Sequence, residues 1–167
     1  PLLPDKGWIR KSSWIYPRMA STVASTGSKI YAIGGYRYPL ESPYNTIEEY
    51  NPATNTWTAK SADTYSYNYG MAASVNGNIY FIGGESSVIT GSNKQYSPGE
   101  NSWTAKASMP TPRRSAAAAV SNNKIYVMGG YVPSGYGWTN VNEEYNPATN
   151  TWTTKAPMPT ARAHTFP

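Results

Sequence analysis

One stretch of this sequence occurs twice, identical over eleven residues. It spans residues 48–58 and returns at residues 143–153, and a more divergent copy at residues 95–104 keeps the tyrosine, the proline and the tryptophan. Repetition of this kind constrains the fold, because each copy must form the same supersecondary unit and bury its apolar face against its neighbours. The chain is therefore predicted to be an array of similar units within one domain.

Two further landmarks give the length of the unit. Tryptophans at positions 8, 57, 103 and 152 are separated by 49, 46 and 49 residues. The glycine pairs that begin at positions 34, 83 and 129 are separated by 49 and 46 residues. Because landmarks of different residue type agree, the period is established, and three complete units follow one another.

Each unit contains four segments with the composition of β-strands. Small, mostly apolar residues form the first segment, predicted at residues 21–24, 72–75 and 116–120. A β-branched and aromatic run that ends in Gly-Gly forms the second, at residues 30–33 and its equivalents. The turn between them is polar, and Asn76-Gly77 is a strong hairpin signal. The repeated tyrosine marks the third strand and the repeated tryptophan marks the fourth.

The composition excludes several classes of protein. Fifteen tyrosines and six tryptophans, in a chain rich in glycine and proline, favour an all-β domain over a helical bundle or a disordered chain. The lack of cysteine excludes disulfides and thiolate chemistry, and the single histidine excludes a histidine-rich metal cluster. No apolar stretch is long enough to span a membrane. The net charge of +5 is spread along the chain, so neither nucleic acid binding nor membrane insertion is predicted.

Aromatic residues at fixed positions, with small residues on the first strand, fit sheets that pack face to face around an axis, as in a β-propeller. The sequence resembles the kelch-repeat family. The family pattern of Gly-Gly, Tyr and Trp is present at 34–35/50/57, 83–84/96/103 and 129–130/145/152. The Met-Pro-Thr-x-Arg connection is present at 109–113 and 158–162. The second unit departs from this pattern at residues 64–67 and at Gln95, so its connection to the next blade is expected to be shaped differently.

The resemblance implies an all-β fold with three complete four-stranded kelch-type blades, approximately at residues 18–60, 69–106 and 115–155. Residues 8–11 and 162–167 are expected to be partial strands of further blades. Kelch propellers usually have about six or seven blades, so three blades do not close a ring. The remaining blades are expected from the rest of a longer chain or, alternatively, from homo-oligomerisation.

Candidate site residues lie where the units differ from one another, mostly in the loops after Gly-Gly. These loops are rich in aromatic residues stiffened by proline and glycine, and loops on a rigid scaffold commonly carry function. In kelch adaptors that bind peptides, residues just after Gly-Gly and at the start of the next inner strand line one face. The candidate ligand-binding residues are Tyr36, Arg37, Tyr38, Glu85, Arg114, Ser115, Tyr131 and Trp138, with His164 as an addition. The alternative is that these aromatic side chains only pack the loops against one another.

The function expected from this resemblance is a non-enzymatic recognition scaffold that binds protein segments or glycans through the loop face. The alternatives are part of a propeller enzyme, such as a sialic acid mutarotase-like protein, or a structural repeat of a surface protein without a ligand. Copper chemistry of the galactose oxidase type is excluded, because it needs a Tyr–Cys thioether and paired histidines. No cofactor or metal is expected. With its low content of charged residues and its lack of cysteine, the sequence resembles microbial secreted kelch proteins more than cytosolic kelch adaptors. This resemblance implies an extracellular or cell-surface location, with the cytoplasm as the alternative.

Overall fold

The computed structural model describes residues 9–37, 42–64, 66–133 and 137–163, and all regular structure within these ranges is β. No helix in the described ranges is long and apolar enough to cross a membrane. The strands form three four-stranded antiparallel sheets, in which each strand pairs with the next one of its unit. This arrangement confirms the predicted all-β fold with three four-stranded blades.

The three sheets have the same strand order. Sheet 1 contains β1 (Thr22–Thr26), β2 (Lys29–Ile33), β5 (Ile47–Asn51) and β6 (Thr56–Ala59). Sheet 2 contains β7 (Met71–Val75), β8 (Asn78–Ile82), β9 (Asn93–Ser97) and β10 (Ser102–Lys106). Sheet 3 contains β11 (Ala117–Ser121), β12 (Lys124–Met128), β15 (Asn142–Asn146) and β16 (Thr151–Lys155). Two short hairpins follow the Gly-Gly pairs of sheets 1 and 3: β3 (Tyr36–Arg37) with β4 (Ser42–Pro43), and β13 (Tyr131–Val132) with β14 (Gly137–Trp138).

The first strands of sheets 1 and 3 extend further than predicted. Strand pairing continues to Thr26 opposite Lys29, so only two residues form the turn. In sheet 2 the turn is Asn76-Gly77, with φ angles of 51° and 80°, as a type I′ hairpin requires. Of the partial strand predicted at residues 8–11, residues 9–11 are not in a strand and residue 8 lies outside the described residues. Of the one predicted at residues 162–167, residues 162 and 163 are not in a strand and the others lie outside the described residues.

The core lies between neighbouring sheets rather than within one sheet. Tyr31 of sheet 1 meets Tyr96 of sheet 2 at a ring-centroid distance of 5.9 Å, and Tyr80 of sheet 2 meets Tyr145 of sheet 3 at 5.7 Å. Ile79 is fully buried among residues of sheets 1 and 2. Burial of each such side chain contributes about 1.5–3 kcal/mol, so a sheet gains most of its stability from its neighbours.

The glycine pairs mark the closest approach of neighbouring blades. Gly83 has a φ of +65°, and a Cβ at this position would lie 2.4 Å from the Arg113 carbonyl oxygen of the next blade. The amide of Gly84 donates a hydrogen bond to the same oxygen at 3.1 Å. Because the backbones touch directly, no side chain fits at Gly83, which explains why the pair is kept in every unit.

The repeated tryptophans are held by the segment that arrives from the preceding unit. The indole nitrogens of Trp57, Trp103 and Trp152 donate to the carbonyl oxygens of Ser12, Ser61 and Ala107, at 2.8–2.9 Å. Each acceptor lies four residues after the tryptophan position of the preceding unit. The contact is therefore a repeated clamp that ties each outer strand to the segment leaving the preceding blade.

Adjacent glutamates on the third strand of sheet 3 point to opposite faces, as alternation along a strand requires. Glu143 is buried and forms an ion pair with Arg113 at 2.8 Å. Glu144 accepts hydrogen bonds from Tyr126 and Lys124, at 2.6 and 2.9 Å. The Tyr126 hydrogen bond is the largest cause that lowers the pKa of Glu144, to about 2. Both carboxylates serve the scaffold in this structure.

Candidate functional site

The residues that follow Gly-Gly in the three blades lie at one face of the sheets, called the loop face below. Each forms an antiparallel bridge with the residue three positions before the first strand of the same blade, in the pairs Met19–Tyr36, Asn68–Glu85 and Arg114–Tyr131. The backbone hydrogen bonds of these bridges are 2.8–3.0 Å long. The bridges thus fix the side chains that come directly after Gly-Gly beside the start of the inner strands.

The residue that follows Met19, Asn68 or Arg114 in the chain has a left-handed backbone conformation. The φ angles of Ala20, Tyr69 and Ser115 are 53°, 56° and 53°. The Tyr69 amide donates to the Ala20 carbonyl at 3.0 Å, and the Ser115 amide donates to the Tyr69 carbonyl at 2.9 Å. Left-handed conformations are unfavourable for residues with a side chain, so they persist where surrounding contacts impose them. This chain of hydrogen bonds links the three blades at the loop face.

Five side chains form a continuous row across the loop face, called the loop-face row: Tyr36, Tyr69, Arg114, Tyr131 and Glu85. The rings of Tyr36 and Tyr69 are 6.2 Å apart, and their hydroxyl oxygens are 3.4 Å apart. The guanidinium of Arg114 lies 4.9 Å from the Tyr69 ring and 5.0 Å from the Tyr131 ring. Its Nε is 3.0 Å from an oxygen of Glu85. The row therefore joins residues of all three blades.

The row is partly exposed to solvent, which weakens the ion pair within it. The side chains of Arg114 and Glu85 are 27% and 31% exposed, so their ion pair contributes only about 0–1 kcal/mol. The hydrogen bond with Tyr36, followed by burial, raises the pKa of Tyr69 above its usual range. Tyr69 therefore keeps a neutral hydroxyl at neutral pH. Together these groups offer a partner one cation, one carboxylate and a set of aromatic faces.

Of the predicted site residues, the structure brings Tyr36, Glu85, Arg114 and Tyr131 into the row. Ser115 joins the same region through its backbone amide. Arg37 is exposed beside a groove of about 400 Å³ on the Tyr36 side of the row, and Trp138, on the short hairpin with Tyr131, is 60% exposed. The predictions for Tyr38 and His164 lie outside the described residues. A binding role for this set stays a prediction.

Tyr69 was not predicted, although it occupies the middle of the row. Its position corresponds to Ala20 in the first unit and Ser115 in the third, so it is a departure from the repeat. The reasoning that selected Ser115 at the start of an inner strand would have selected Tyr69, had it been applied to the second unit as well.

Three similar sheets, packed face to face and joined by clamps and glycine contacts, define this chain as a segment of a β-propeller built from kelch-type blades. A family model described as the KLHDC2/KLHL20/DRC7 Kelch-repeats domain matches residues 20–165. The chain belongs to this kelch-repeat family.

Two individual proteins are similar to this chain. The Kelch-like protein terF of Aspergillus terreus is 33% identical over 76 residues, which are 44% of this chain and 17% of terF. A solved structure titled "Structure of YjhT" superimposes with a TM-score of 0.79 at 18% sequence identity, over 92% of this chain and 56% of YjhT. The likeness to YjhT establishes the propeller fold. The chain spans about half the length of that structure and a smaller share of terF.

Proposed function

We propose that this chain is part of a non-enzymatic recognition scaffold, and that the loop-face row binds a segment of a partner protein. The observation that carries the proposal is the continuity of the row across three blades, with Arg114 between the rings of Tyr69 and Tyr131. Glycans are the alternative ligand class for the same face.

The row is suited to binding because its side chains are ordered before a ligand arrives. Tyrosine has few rotatable bonds, and the contacts among Tyr36, Tyr69 and Arg114 restrict them further. Ordering a rotamer-rich side chain on binding costs about 0.5–1.5 kcal/mol, so a prearranged arginine lowers that cost. The neighbouring Arg37 and Trp138 are exposed and extend the contact area.

The charge arrangement of the row favours binding over catalysis. Acid–base chemistry commonly uses two titratable groups whose environments separate their pKa values. The row, within the described residues, holds one carboxylate, and this carboxylate of Glu85 is paired with Arg114. A propeller enzyme remains the competing class, and it would have to place its reacting groups elsewhere in a complete ring.

We propose that further blades complete the ring, either from the rest of a longer chain or from another copy of this one. Ala156 occupies the position of Ala107, whose backbone clamps the tryptophan of the following blade. Sedimentation of the native protein, compared with its intact mass, distinguishes the two sources. An extracellular or cell-surface location is part of the same proposal, and immunolocalisation of the native protein tests it.

The ligand is tested by screening the protein on peptide and glycan arrays and measuring the best hits by calorimetry. Arg114→Ala and Tyr69→Ala are expected to weaken a genuine loop-face ligand by at least tenfold. Thr104→Ala is the matched control, because this residue is exposed on the outer strand β10 and touches no part of the row. A ligand whose affinity is unchanged by both row variants would refute the assignment of the site. Peptide hits support the proposed class, and glycan hits alone support the alternative.

A further inference from the structure

The tryptophan of each outer strand faces a residue that lies six positions after the tryptophan position of the preceding unit. Trp14 fills this position for Trp57 and stacks on it, with ring centroids 6.1 Å apart and planes 8° apart. Met109 fills it for Trp152, and both belong to one apolar cluster. At the junction of sheets 1 and 2 the same position is Asp63, facing Trp103. A short polar side chain thus stands where the other two junctions have a large apolar residue.

Two other positions at the junction of sheets 1 and 2 also differ from their counterparts at the junction of sheets 2 and 3. In sheet 3, Arg113 pairs with the buried Glu143. The corresponding residues of sheet 2 are Tyr67 and Lys94, so the sign of the charge on the third strand is reversed. Lys94 pairs with Asp63 at 3.2 Å. Three positions have therefore changed together, and the junction stays electrically balanced.

Beside these residues a groove of about 420 Å³ lies between residues 61–64, which lead from sheet 1 to sheet 2, and the outer strands of sheet 2. Its lining includes Ser61, Asp63, Thr64, Lys94, Ser102 and Trp103. None of these residues belongs to the loop-face row. The groove is large enough for a small ligand and differs in chemistry from an apolar blade contact.

Asp63 is the polar anchor of the groove. It is 8% exposed, and its Oδ1 atom accepts hydrogen bonds from the Thr64 amide at 2.6 Å and from Lys94 at 3.2 Å. Its second oxygen, Oδ2, accepts no hydrogen bond from any residue in the described ranges. A held carboxylate with a spare oxygen is a strong acceptor for a ligand hydroxyl, because charge-assisted hydrogen bonds are about twice as strong as neutral ones.

We propose that this groove binds a neutral pyranose unit of a carbohydrate. The indole of Trp103 offers an apolar surface to the C–H face of the sugar ring, as tryptophan combines a large apolar area with a polar edge. The Asp63 carboxylate accepts hydrogen bonds from ring hydroxyls, and Ser61 and Ser102 line the same groove. The site is separate from the loop face, so it does not depend on the protein-segment ligand proposed there.

Saturation-transfer NMR of the native protein with the methyl glycosides of glucose, galactose, mannose and N-acetylglucosamine tests the proposal. At least one of them is expected to bind with a millimolar dissociation constant and to shift the Trp103 indole resonance. The loop-face variant Arg114→Ala is the control that must keep this binding. Loss of binding in that variant would place the sugar on the loop face and overturn the proposal.

Two variants of the groove separate binding from folding. Asp63→Asn is expected to weaken the sugar at least tenfold. The combination of Asp63→Met, Tyr67→Arg and Lys94→Glu restores the residue types that the third blade uses, so it should fold and lose binding altogether. The proposal is overturned if no glycoside binds the native protein, if the folded triple variant binds equally well, or if sugar shifts resonances only outside the groove. Because the resonance shifts are measured on the unaltered protein, they decide the matter even where a variant fails to fold.

Discussion

Replacing Gly83 by alanine tests whether direct backbone contact holds the blades together. With a φ of +65°, an alanine would cost about 1–2 kcal/mol in the left-handed region. Its Cβ would also lie 2.4 Å from the Arg113 carbonyl oxygen and force the backbones apart. Displacing that oxygen weakens the hydrogen bond from Gly84, which contributes about 1 kcal/mol. The expected total is a loss of roughly 3 kcal/mol.

Gly77→Ala is the matched control for this experiment. Gly77 also has a positive φ, +80°, but a Cβ there would meet nothing within 4 Å. Its substitution should therefore cost about 1–2 kcal/mol, from the backbone conformation alone. Thermal unfolding followed by circular dichroism should place the two variants about 2–8 °C apart, since 1 kcal/mol corresponds to about 2–4 °C at this chain length. Equal melting temperatures would refute the account of the glycine pair as a contact between blades.

Three further results are expected. Glu143→Gln should lower the free energy of unfolding by about 3 kcal/mol in urea titrations, because it leaves the buried Arg113 charge without its partner. Glu144 has a lowered pKa in the folded state, about 2, so its stabilising contribution is complete above its unfolded pKa and is lost as pH falls towards 2. Glu144→Gln should therefore flatten the dependence of melting temperature on pH between about 4.5 and 2, and an unchanged slope would contradict this. Trp103→Ala should cost about 3 kcal/mol by urea titration and Tyr131→Ala at most about 1 kcal/mol, so equal losses would make Tyr131 a core residue.

The residues that recur in every unit predicted most of the fold, because they make the same contact in every blade. Tyr96 and Tyr145 are core residues that meet a tyrosine of the preceding sheet, and this role follows from their fixed place in the unit. The tight turn at Asn76-Gly77 follows from local chemistry alone. Local pattern and period were sufficient for these elements, since each depends on one unit or on its nearest neighbour.

The remaining contacts depend on which residues meet across a junction, and sequence order does not reveal that. Asp63 and Lys94 are 31 residues apart, and their pairing depends on the segment before β7 crossing the third strand of sheet 2. Tyr69 contacts Tyr36 of one blade and Arg114 of the other, so its place in the row requires the positions of both neighbours. Asp63, Lys94 and Tyr69 were predicted neither as partners nor as departures from the repeat, although the neighbouring residues 64–67 and Gln95 were predicted as departures.

Departures from the repeat are of two kinds, and the distinction bears on where function lies. A departure inside a junction must be compensated, because an unpaired buried charge costs several kcal/mol, and the change from Glu143 to Lys94 is accompanied by Asp63 for this reason. A departure at the solvent-exposed loop face, such as Tyr69, buries no charge and needs no such compensation. The residue type at this position can therefore suit contacts with a ligand. At the junction of sheets 1 and 2 the charges of Asp63 and Lys94 are balanced, and Asp63 stands at the position from which Trp14 stacks on Trp57. Other ion pairs would balance the charge equally well, so charge balance alone does not explain a short side chain beside Trp103, whereas the sugar site proposed above gives a reason for it.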